Sequence, residues 1–305
     1  MENKLTVSSS PHIRHTDTTS GIMLDVIIAL LPATVYGIVL FGFYAALIVV
    51  TCILSAVAGE YVWNLILKKP NSVKDLSAVV TGLLLALNLP PRLPLWMAAI
   101  GSAVAIIIVK QVFGGLGYNF ANPAITARIV LLVSFPTAMT SFYEPFGNTV
   151  SSATPLVDAT APIKDLILGV HSGCIGETSS LMLLLGFIYL LMRRVISPII
   201  PCCFIGTVFI MSFILGVSPV NAILSGGLML GAIFMATDYV TSPTFPLGKV
   251  IFGVGCGIIT VVIRLYGNLP EGVSYSILLM NLLVPHINNL TRRHPFGMVV
   301  TKGGK

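Results

Sequence analysis

A broken apolar pattern occurs twice in the chain. Residues 80–109 read VTGLLLALNLPPRLPLWMAAIGSAVAIIIV, and residues 224–263 read LSGGLMLGAIFMATDYVTSPTFPLGKVIFGVGCGIITVVI. Each stretch has a run of leucine and small residues, then a break that contains proline, then an apolar segment that bears glycine. The breaks are residues 88–91 (NLPP) and 236–243 (ATDYVTSP). Such interruptions at matching positions indicate a central site between two repeats, although glycine and proline are also frequent in membrane helices generally.

The composition of the whole chain is typical of a membrane protein. Of 305 residues, 55% are hydrophobic and only 9% are charged, whereas soluble domains carry about 25% charged residues. At about 20 apolar residues per crossing, there is room for about ten membrane helices and for no large soluble domain. The apolar segments are 22–42, 44–66, 76–89, 94–112, 123–136, 179–193, 197–216, 219–237, 248–267 and 273–290. We therefore expect an all-α polytopic membrane protein.

The two breaks fall in the third and eighth of these segments, which correspond if the chain is divided into two five-helix halves. Because five is odd, such halves must be inverted relative to each other. The expected parts are an N-terminal arm (1–21), a first repeat (22–136), a long loop (137–178), a second repeat (179–290) and a C-terminal tail (291–305). The arm has no apolar core and no cleavage site, which favours a cytoplasmic arm over a removed signal peptide.

Basic residues predict the orientation. The net charge is +6, but the cations stand at the ends of apolar runs, so they indicate topology and not nucleic-acid binding. With the N-terminus inside, the cytoplasmic side holds Lys4, Arg14, Lys68, Lys69, Lys74, Lys110, Arg193, Arg194, Lys249, Arg292, Arg293, Lys302 and Lys305. The opposite side holds Arg92, Lys164 and Arg264. This bias predicts that both termini are cytoplasmic and that the 137–178 loop lies outside.

Four ionisable residues stand within or at the edges of apolar segments: Asp25, Glu60, Arg128 and Asp238. Such charges cost at least about 2.5 kcal/mol at the bilayer centre, so they tend to face the bundle interior and to mark pathways or cofactors. Asp25 and Glu60 lie near predicted helix ends, where solvation at the interface is the simpler explanation. Asp25 and Asp238 are nevertheless the candidates for an ion pathway.

Asp238 is the more specific of these candidates, because it sits at the second break beside Thr237 and Thr241. A broken helix offers free carbonyls and amides, which suit a cation or the polar atoms of a cofactor. The alternative is that these side chains merely cap the interrupted backbone.

A second polar group begins the fifth segment. Asn119 and Asn122 precede it, and Arg128 follows Asn122 by six residues, about 9 Å along a helix. Arg128 could hold an anionic cofactor or, equally, pair with a buried acid. The five cysteines form no C-x-x-C pair and are expected to be packing residues, although one could join metal ligands from a partner. No arrangement typical of a soluble enzyme is present, so we assign no catalytic residue and expect no metal site in this chain alone.

Four stretches carry a family resemblance: SSSPHIRHTDTTSGIMLDVIIALLPA (8–33), GYNFANPAITARIVL (117–131), FMATDYVTSPTFPLGKVIFG (234–253) and PEGVSYSILLMNLLVPHI (270–287). Over essentially its whole length the chain resembles one family of membrane subunits. That family comprises the D subunit of the Rnf ion-translocating electron-transport complex and the B subunit of the sodium-pumping NADH:quinone reductase. The lack of a long N-terminal extension favours the Rnf D subunit.

The resemblance implies a covalent flavin in the 137–178 loop. In the family, FMN is attached through its phosphate to the threonine of an S-G-A-T motif by an FAD-dependent flavin transferase outside the cytoplasm. Here the matching residues are Ser151, Ser152, Ala153 and Thr154, with Ser152 where the motif has glycine. Thr160 is a nearby competitor without the matching serine two positions earlier.

The resemblance further implies a fold similar to urea transporters and a place in a prokaryotic cytoplasmic membrane. It implies electron transfer between ferredoxin and NAD+ coupled to Na+ or H+ movement, a translocase activity to which this subunit contributes. A noncovalent riboflavin is a second possible cofactor. The expected partners are membrane lipid and the other subunits of the complex, which would hold the NAD, ferredoxin and iron–sulfur sites. The alternative is a channel or solute carrier of similar architecture with no redox role.

Overall fold

The computed structural model describes residues 18–68, 72–146, 150–151, 162–267 and 272–292. Within this part of the chain, nearly all regular structure is helical, as a membrane requires of a chain whose backbone groups must be satisfied internally. The helices before the long loop are α1 (Thr19–Phe41), α2 (Phe43–Ile66), α3 (Ser77–Leu87), α4 (Leu95–Ala103) and α5 (Pro123–Ser134). A 3-10 turn, Val73–Asp75, precedes α3, and α4 continues as a π-helix, Val104–Gln111.

The remaining elements lie in and after the loop. The loop holds the short helices α6 (Pro136–Met139) and α7 (Ile163–Leu168) and the strands β1 (Phe142–Tyr143) and β2 (Val150–Ser151). The helices that follow are α8 (Ser180–Met192), α9 (Ile199–Ile214), α10 (Pro219–Leu224), α11 (Leu228–Leu230), α12 (Pro246–Tyr266) and α13 (Gly272–Thr291). A π-helix, Gly231–Met235, continues α11.

Three helices, α1, α2 and α12, are long and apolar enough to cross a membrane. Five shorter apolar helices accompany them: Ser77–Leu87, Leu95–Gln111, Pro123–Ser134, Ser180–Met192 and Ile199–Ile214. The protein is therefore a multi-pass helical membrane protein, as composition predicts.

The segment 219–237 differs from the expected single helix. It is divided into α10 and α11, because Gly226 and Gly227 turn the chain at φ +68° and +69°. A Cβ on Gly227 would lie 2.5 Å from a carboxylate oxygen of Glu177, so a larger side chain would not fit at this turn. Each of the other predicted segments contains one helix with similar bounds.

The first break contacts the end of the π-helix that precedes the second break. The first follows α3, and the second follows the π-helix that ends at Met235. The Asn88 amide nitrogen lies 3.5 Å from the Met235 sulfur, and the Asn122 amide nitrogen donates to the Met235 carbonyl at 3.2 Å. Residues far apart in sequence therefore join the two broken helices.

The loop predicted at 137–178 does not lie wholly at the surface. Residues 171–180 are buried, and the Ile175 and Gly176 amides donate to the carbonyls of Leu89 (3.1 Å) and Leu87 (2.8 Å). The buried end of the loop therefore satisfies carbonyls that the interruption of α3 leaves without helical partners. At the other end of the loop, β1 and β2 pair antiparallel, with Phe142 opposite Ser151.

Candidate functional site

A cleft, which we call the central cleft, lies between α1, α3, α8 and the second break. It has about 800 Å³ of empty volume, part of it open to solvent. Apolar side chains form most of its wall, among them Ile22, Val80 and Leu190. Its polar lining includes Asn119, Asn122, Thr237, Asp238 and Lys110. The cleft thus collects three of the predicted site residues, Asn122, Thr237 and Asp238.

Asn122 holds the wall of this cleft in place. It is 3% exposed, and its side-chain oxygen caps α5 by accepting from the Ala124 and Ile125 amides at 3.0 and 3.3 Å. Its amide nitrogen bonds Met235 across the interface. Because both ends of the side chain are engaged, Asn122 fixes the start of α5 against the second break.

Asp238 makes the contacts expected of a cap. The Thr241 hydroxyl donates to its carboxylate at 2.9 Å, and the Ser242 amide donates to its main-chain carbonyl at 3.1 Å. These bonds stabilise the turn of the broken helix, as a cap would. Asp238 also lines the cleft, whereas Thr241 is buried behind it and does not.

Arg128 does not line the cleft. Its guanidinium contacts the Glu177 carboxylate at 2.7 Å and donates to the Asn88 side-chain oxygen at 2.7 Å. It also contacts Ser274 at 3.3 Å and the Cys174 sulfur at 3.5 Å. Of the two roles predicted for Arg128, the structure shows the pairing with a buried acid. The pair fastens the buried end of the loop to α3, α5 and α13.

Asp25 is 8% exposed and faces α8. The Tyr189 hydroxyl donates to it at 2.8 Å, and the Arg193 guanidinium approaches it at 3.2 Å. Asp25 is therefore paired, and its partner Arg193 is 58% exposed. It links α1 to the end of α8.

The structure also shows a buried ion pair that the sequence pattern did not predict. The Lys110 ammonium lies 2.9 Å from the Glu60 carboxylate and 2.6 Å from the Ser77 hydroxyl. Both charged side chains are nearly inaccessible, at 3% and 1% exposed. Solvation at the interface is thus wrong for Glu60, and Lys110 does more than signal topology. Two opposite charges within apolar segments are themselves a pairing signal.

His171 lies in the buried end of the loop, 3.1 Å from the Ser172 carbonyl through Nδ1. Burial lowers the pKa of its imidazole below the usual value, because a charged ring is costly away from water. The neutral form is therefore favoured at neutral pH, and the ionic contacts of this segment are those of Glu177.

The covalent-attachment residues are only partly described. The backbone of Ser151 is in β2, and Ser152, Ala153 and Thr154 lie outside the described residues, as does Thr160.

Broken helices beside a largely apolar cleft with a few polar groups are typical of multi-pass membrane proteins, and comparison with known proteins gives the family of this chain. Residues 6–297 match the NQR2, RnfD, RnfE family, and the chain belongs to it. The predicted resemblance is therefore confirmed.

Individual relatives match along nearly their whole length. The chain is 50% identical to the D subunit of the Na(+)-translocating ferredoxin:NAD(+) oxidoreductase complex of Acetobacterium woodii, over 99% of this chain and 98% of that one. It is 42% identical to the D subunit of the proton-translocating ferredoxin:NAD(+) oxidoreductase complex of Clostridium ljungdahlii, over 97% of each. It is 38% identical to the D subunit of the ion-translocating oxidoreductase complex of Stutzerimonas stutzeri, over 90% and 91%.

Proposed function

We propose that this chain is the D-type membrane subunit of an ion-translocating ferredoxin:NAD+ oxidoreductase complex. The observation that carries this proposal is the 50% identity to such a subunit over nearly the full length of both chains. The other subunits of the complex and membrane lipid are its partners. Its relatives are named for different ions, Na+ and protons, so the transported ion is Na+ or H+.

FMN attached to Thr154 is the redox group in this proposal. The threonine hydroxyl would take the FMN phosphate from FAD as a phosphodiester, with AMP as the leaving group. The flavin transferase supplies the catalysis, so Thr154 needs only slim neighbours, which Ser151, Ser152 and Ala153 are. The bound flavin supplies electron transfer, and the protein supplies its position and electrostatic environment.

The central cleft is proposed to hold a second, noncovalent flavin such as riboflavin. Its largely apolar wall with a few polar groups fits the usual character of small-molecule sites. Asn119, Thr237 and Asp238 offer amide, hydroxyl and carboxylate groups to the polar edge of a ring or to a ribityl chain. Lys110 adds a cation paired with Glu60. Arg128 has no place in this site.

The proposed architecture is two inverted five-helix repeats with ten crossings, similar to urea transporters. It is supported by helix length: α3 has 11 residues, about 17 Å at 1.5 Å per residue, against a hydrocarbon core of about 30 Å. Such a helix reaches only part of the way, and the break completes the crossing. The meeting of Asn88 with Met235 supports a pseudo-symmetric centre of this kind.

The test is to express the chain with a flavin transferase and to denature it. We expect in-gel flavin fluorescence from the wild type and from Thr160→Val, but not from Thr154→Val. Peptide mass analysis would then place the FMN adduct on Thr154. A fluorescent Thr154→Val chain would refute that residue, and a wild-type chain without flavin would favour the channel or solute-carrier alternative.

The same preparations test the cleft. Flavin released by mild denaturation is noncovalent, and we expect Asp238→Asn to reduce it while the covalent flavin is unchanged. An unchanged amount of released flavin would contradict a role of Asp238 in flavin binding. Asp238 would then only stabilise the turn.

A further inference from the structure

A chain of hydrogen bonds leads from the wall of the central cleft to the 3-10 turn before α3. The wall includes Lys110, near the end of the π-helix that continues α4, and Ser77, the first residue of α3. The Lys110 ammonium donates to the Ser77 hydroxyl at 2.6 Å, and that hydroxyl donates to the Asp75 carboxylate at 2.5 Å. The Ser77 amide also donates to this carboxylate, at 2.9 Å, which keeps Asp75 beside Ser77.

A second branch starts from the same ammonium. Lys110 donates to one carboxylate oxygen of Glu60 at 2.9 Å, and the other oxygen accepts from the Ser72 hydroxyl at 2.5 Å. The Asn64 amide donates to that hydroxyl at 3.0 Å. Both branches therefore run from the cleft to the segment 72–75.

Exposure to water increases along this chain. Lys110, Glu60 and Ser77 are buried, whereas Ser72 and Asp75 are partly exposed. The segment 72–75 lies between α2 and α3, on the side that the basic residues predict to be cytoplasmic. Ionisable side chains that are linked in this way at membrane depth are typical of proton relays. The bonds thus connect the cleft with the water of one membrane face.

We propose that Asp75, Ser77 and Lys110 form a proton relay to the electron acceptor in the central cleft. This inference rests on the proposed noncovalent flavin, whose chemistry couples electron uptake to proton uptake. When the acceptor gains an electron from the electron donor of the complex, the Lys110 ammonium gives it a proton. The N–H bond breaks and a neutral amine remains. The Ser77 hydroxyl then passes its proton to the amine and takes one from the protonated Asp75 carboxyl, which water supplies with the next.

The residue types suit these steps. A lysine amine can release and regain a proton, whereas an arginine stays protonated. Transfer needs a donor and an acceptor within about 2.6–3.2 Å, and both bonds of the Ser77 hydroxyl are at least that short. Glu60 stabilises the charged form of Lys110 between transfers. Each electron that enters the cleft is matched by one proton, so no net charge is added to a site of low polarity.

The experiment uses the full chain in detergent, expressed without the flavin transferase, so that its only flavin is noncovalent. Dithionite replaces the electron donor. Stopped-flow absorbance separates the protonated from the anionic reduced flavin, because their spectra differ. Ser77→Ala and Asp75→Asn are expected to slow the appearance of the protonated form by at least about tenfold. Flavin content and midpoint potential should stay near those of the wild type.

Two conservative variants separate the relay from a structural role. Lys110→Arg keeps the cation beside Glu60 but holds its proton, so we expect it to be as slow as Ser77→Ala. Ser77→Thr keeps the hydroxyl and should behave as the wild type. The wild-type rate should fall in D2O, since a proton moves in the measured step.

Two matched controls lie outside the chain of bonds. Ser102→Ala removes another buried hydroxyl, one that donates to a carbonyl of its own helix, and Asp165→Asn changes a partly exposed carboxylate of α7. Rates in Ser77→Ala and Asp75→Asn equal to those of the controls would overturn the relay alone. Loss of flavin from these two variants would show that they build the site and would also overturn the relay. A wild-type chain without noncovalent flavin would overturn the proposed cleft site as well.

Discussion

Charged side chains inside this protein are held in specific pairs. Lys110 with Glu60 and Arg128 with Glu177 each join a residue of one helix to another element. A lone charge at these depths would be costly, and removal of one member of a buried pair leaves the other uncompensated. These pairs therefore fix which elements are neighbours.

Lys110→Met is expected to destabilise the protein by about 3–5 kcal/mol, the usual cost of breaking a buried pair. The double variant Lys110→Met with Glu60→Gln should recover much of this loss, because no buried charge then stays unpaired. Thermal unfolding in detergent measures both. The control is Arg193→Met, whose side chain is 58% exposed in its pair with Asp25, so that a loss nearer the roughly 0–1 kcal/mol of surface pairs is expected. Equal losses for Lys110→Met and Arg193→Met would contradict the burial of the Lys110 pair.

The helices pack closely where glycine removes a side chain. A Cβ on Gly186 of α8 would lie 2.3 Å from the Ala29 carbonyl oxygen of α1, and one on Gly82 of α3 would lie 2.8 Å from the Cys52 carbonyl oxygen of α2. In a membrane, association of helices depends on such close packing, because lipid is as apolar as the side chains. Which helices pack closely together therefore depends on where each apolar segment has its small residues.

Gly186→Ala is expected to destabilise the protein, because the added methyl group meets main-chain atoms that cannot move aside cheaply. The matched control is Gly206→Ala in α9, where nothing lies within 4 Å of the added Cβ. There the alanine should be neutral or should stabilise by up to about 1 kcal/mol through helix propensity. The measurement is the unfolding temperature of each variant in the same detergent. A Gly186→Ala variant as stable as the wild type would contradict the close contact of α1 with α8.

On the scale of the whole molecule, α1 links two separate recesses. Met23 lines the central cleft, and Leu40 lines a second recess together with Arg92 and Tyr143. The roughly 17 residues between them correspond to about 25 Å of helix, close to the thickness of the hydrocarbon core. The two recesses are therefore about one hydrocarbon thickness apart along α1.

Site-directed labelling tests the predicted orientation. In a Cys202→Ser background, which removes the exposed cysteine, Ser151→Cys should react with a membrane-impermeant maleimide in intact cells. Lys68→Cys, between α2 and α3, should react only after lysis. The reverse pattern would show that the basic residues were assigned to the wrong side.

Composition and spacing are sufficient for the membrane class, for most of the helix bounds and for the two interrupted helices, because these depend on local hydrophobicity and on proline and glycine. Family motifs in the sequence single out Thr154. The sequence does not predict which side chains pair in the fold. The members of the pairs Lys110–Glu60, Arg128–Glu177 and Asn122–Met235 are separated by many residues, and no local pattern pairs them. Only the folded chain decides that Asp238 faces a cleft while Arg128 turns away from it, since tertiary packing determines which groups lose water together.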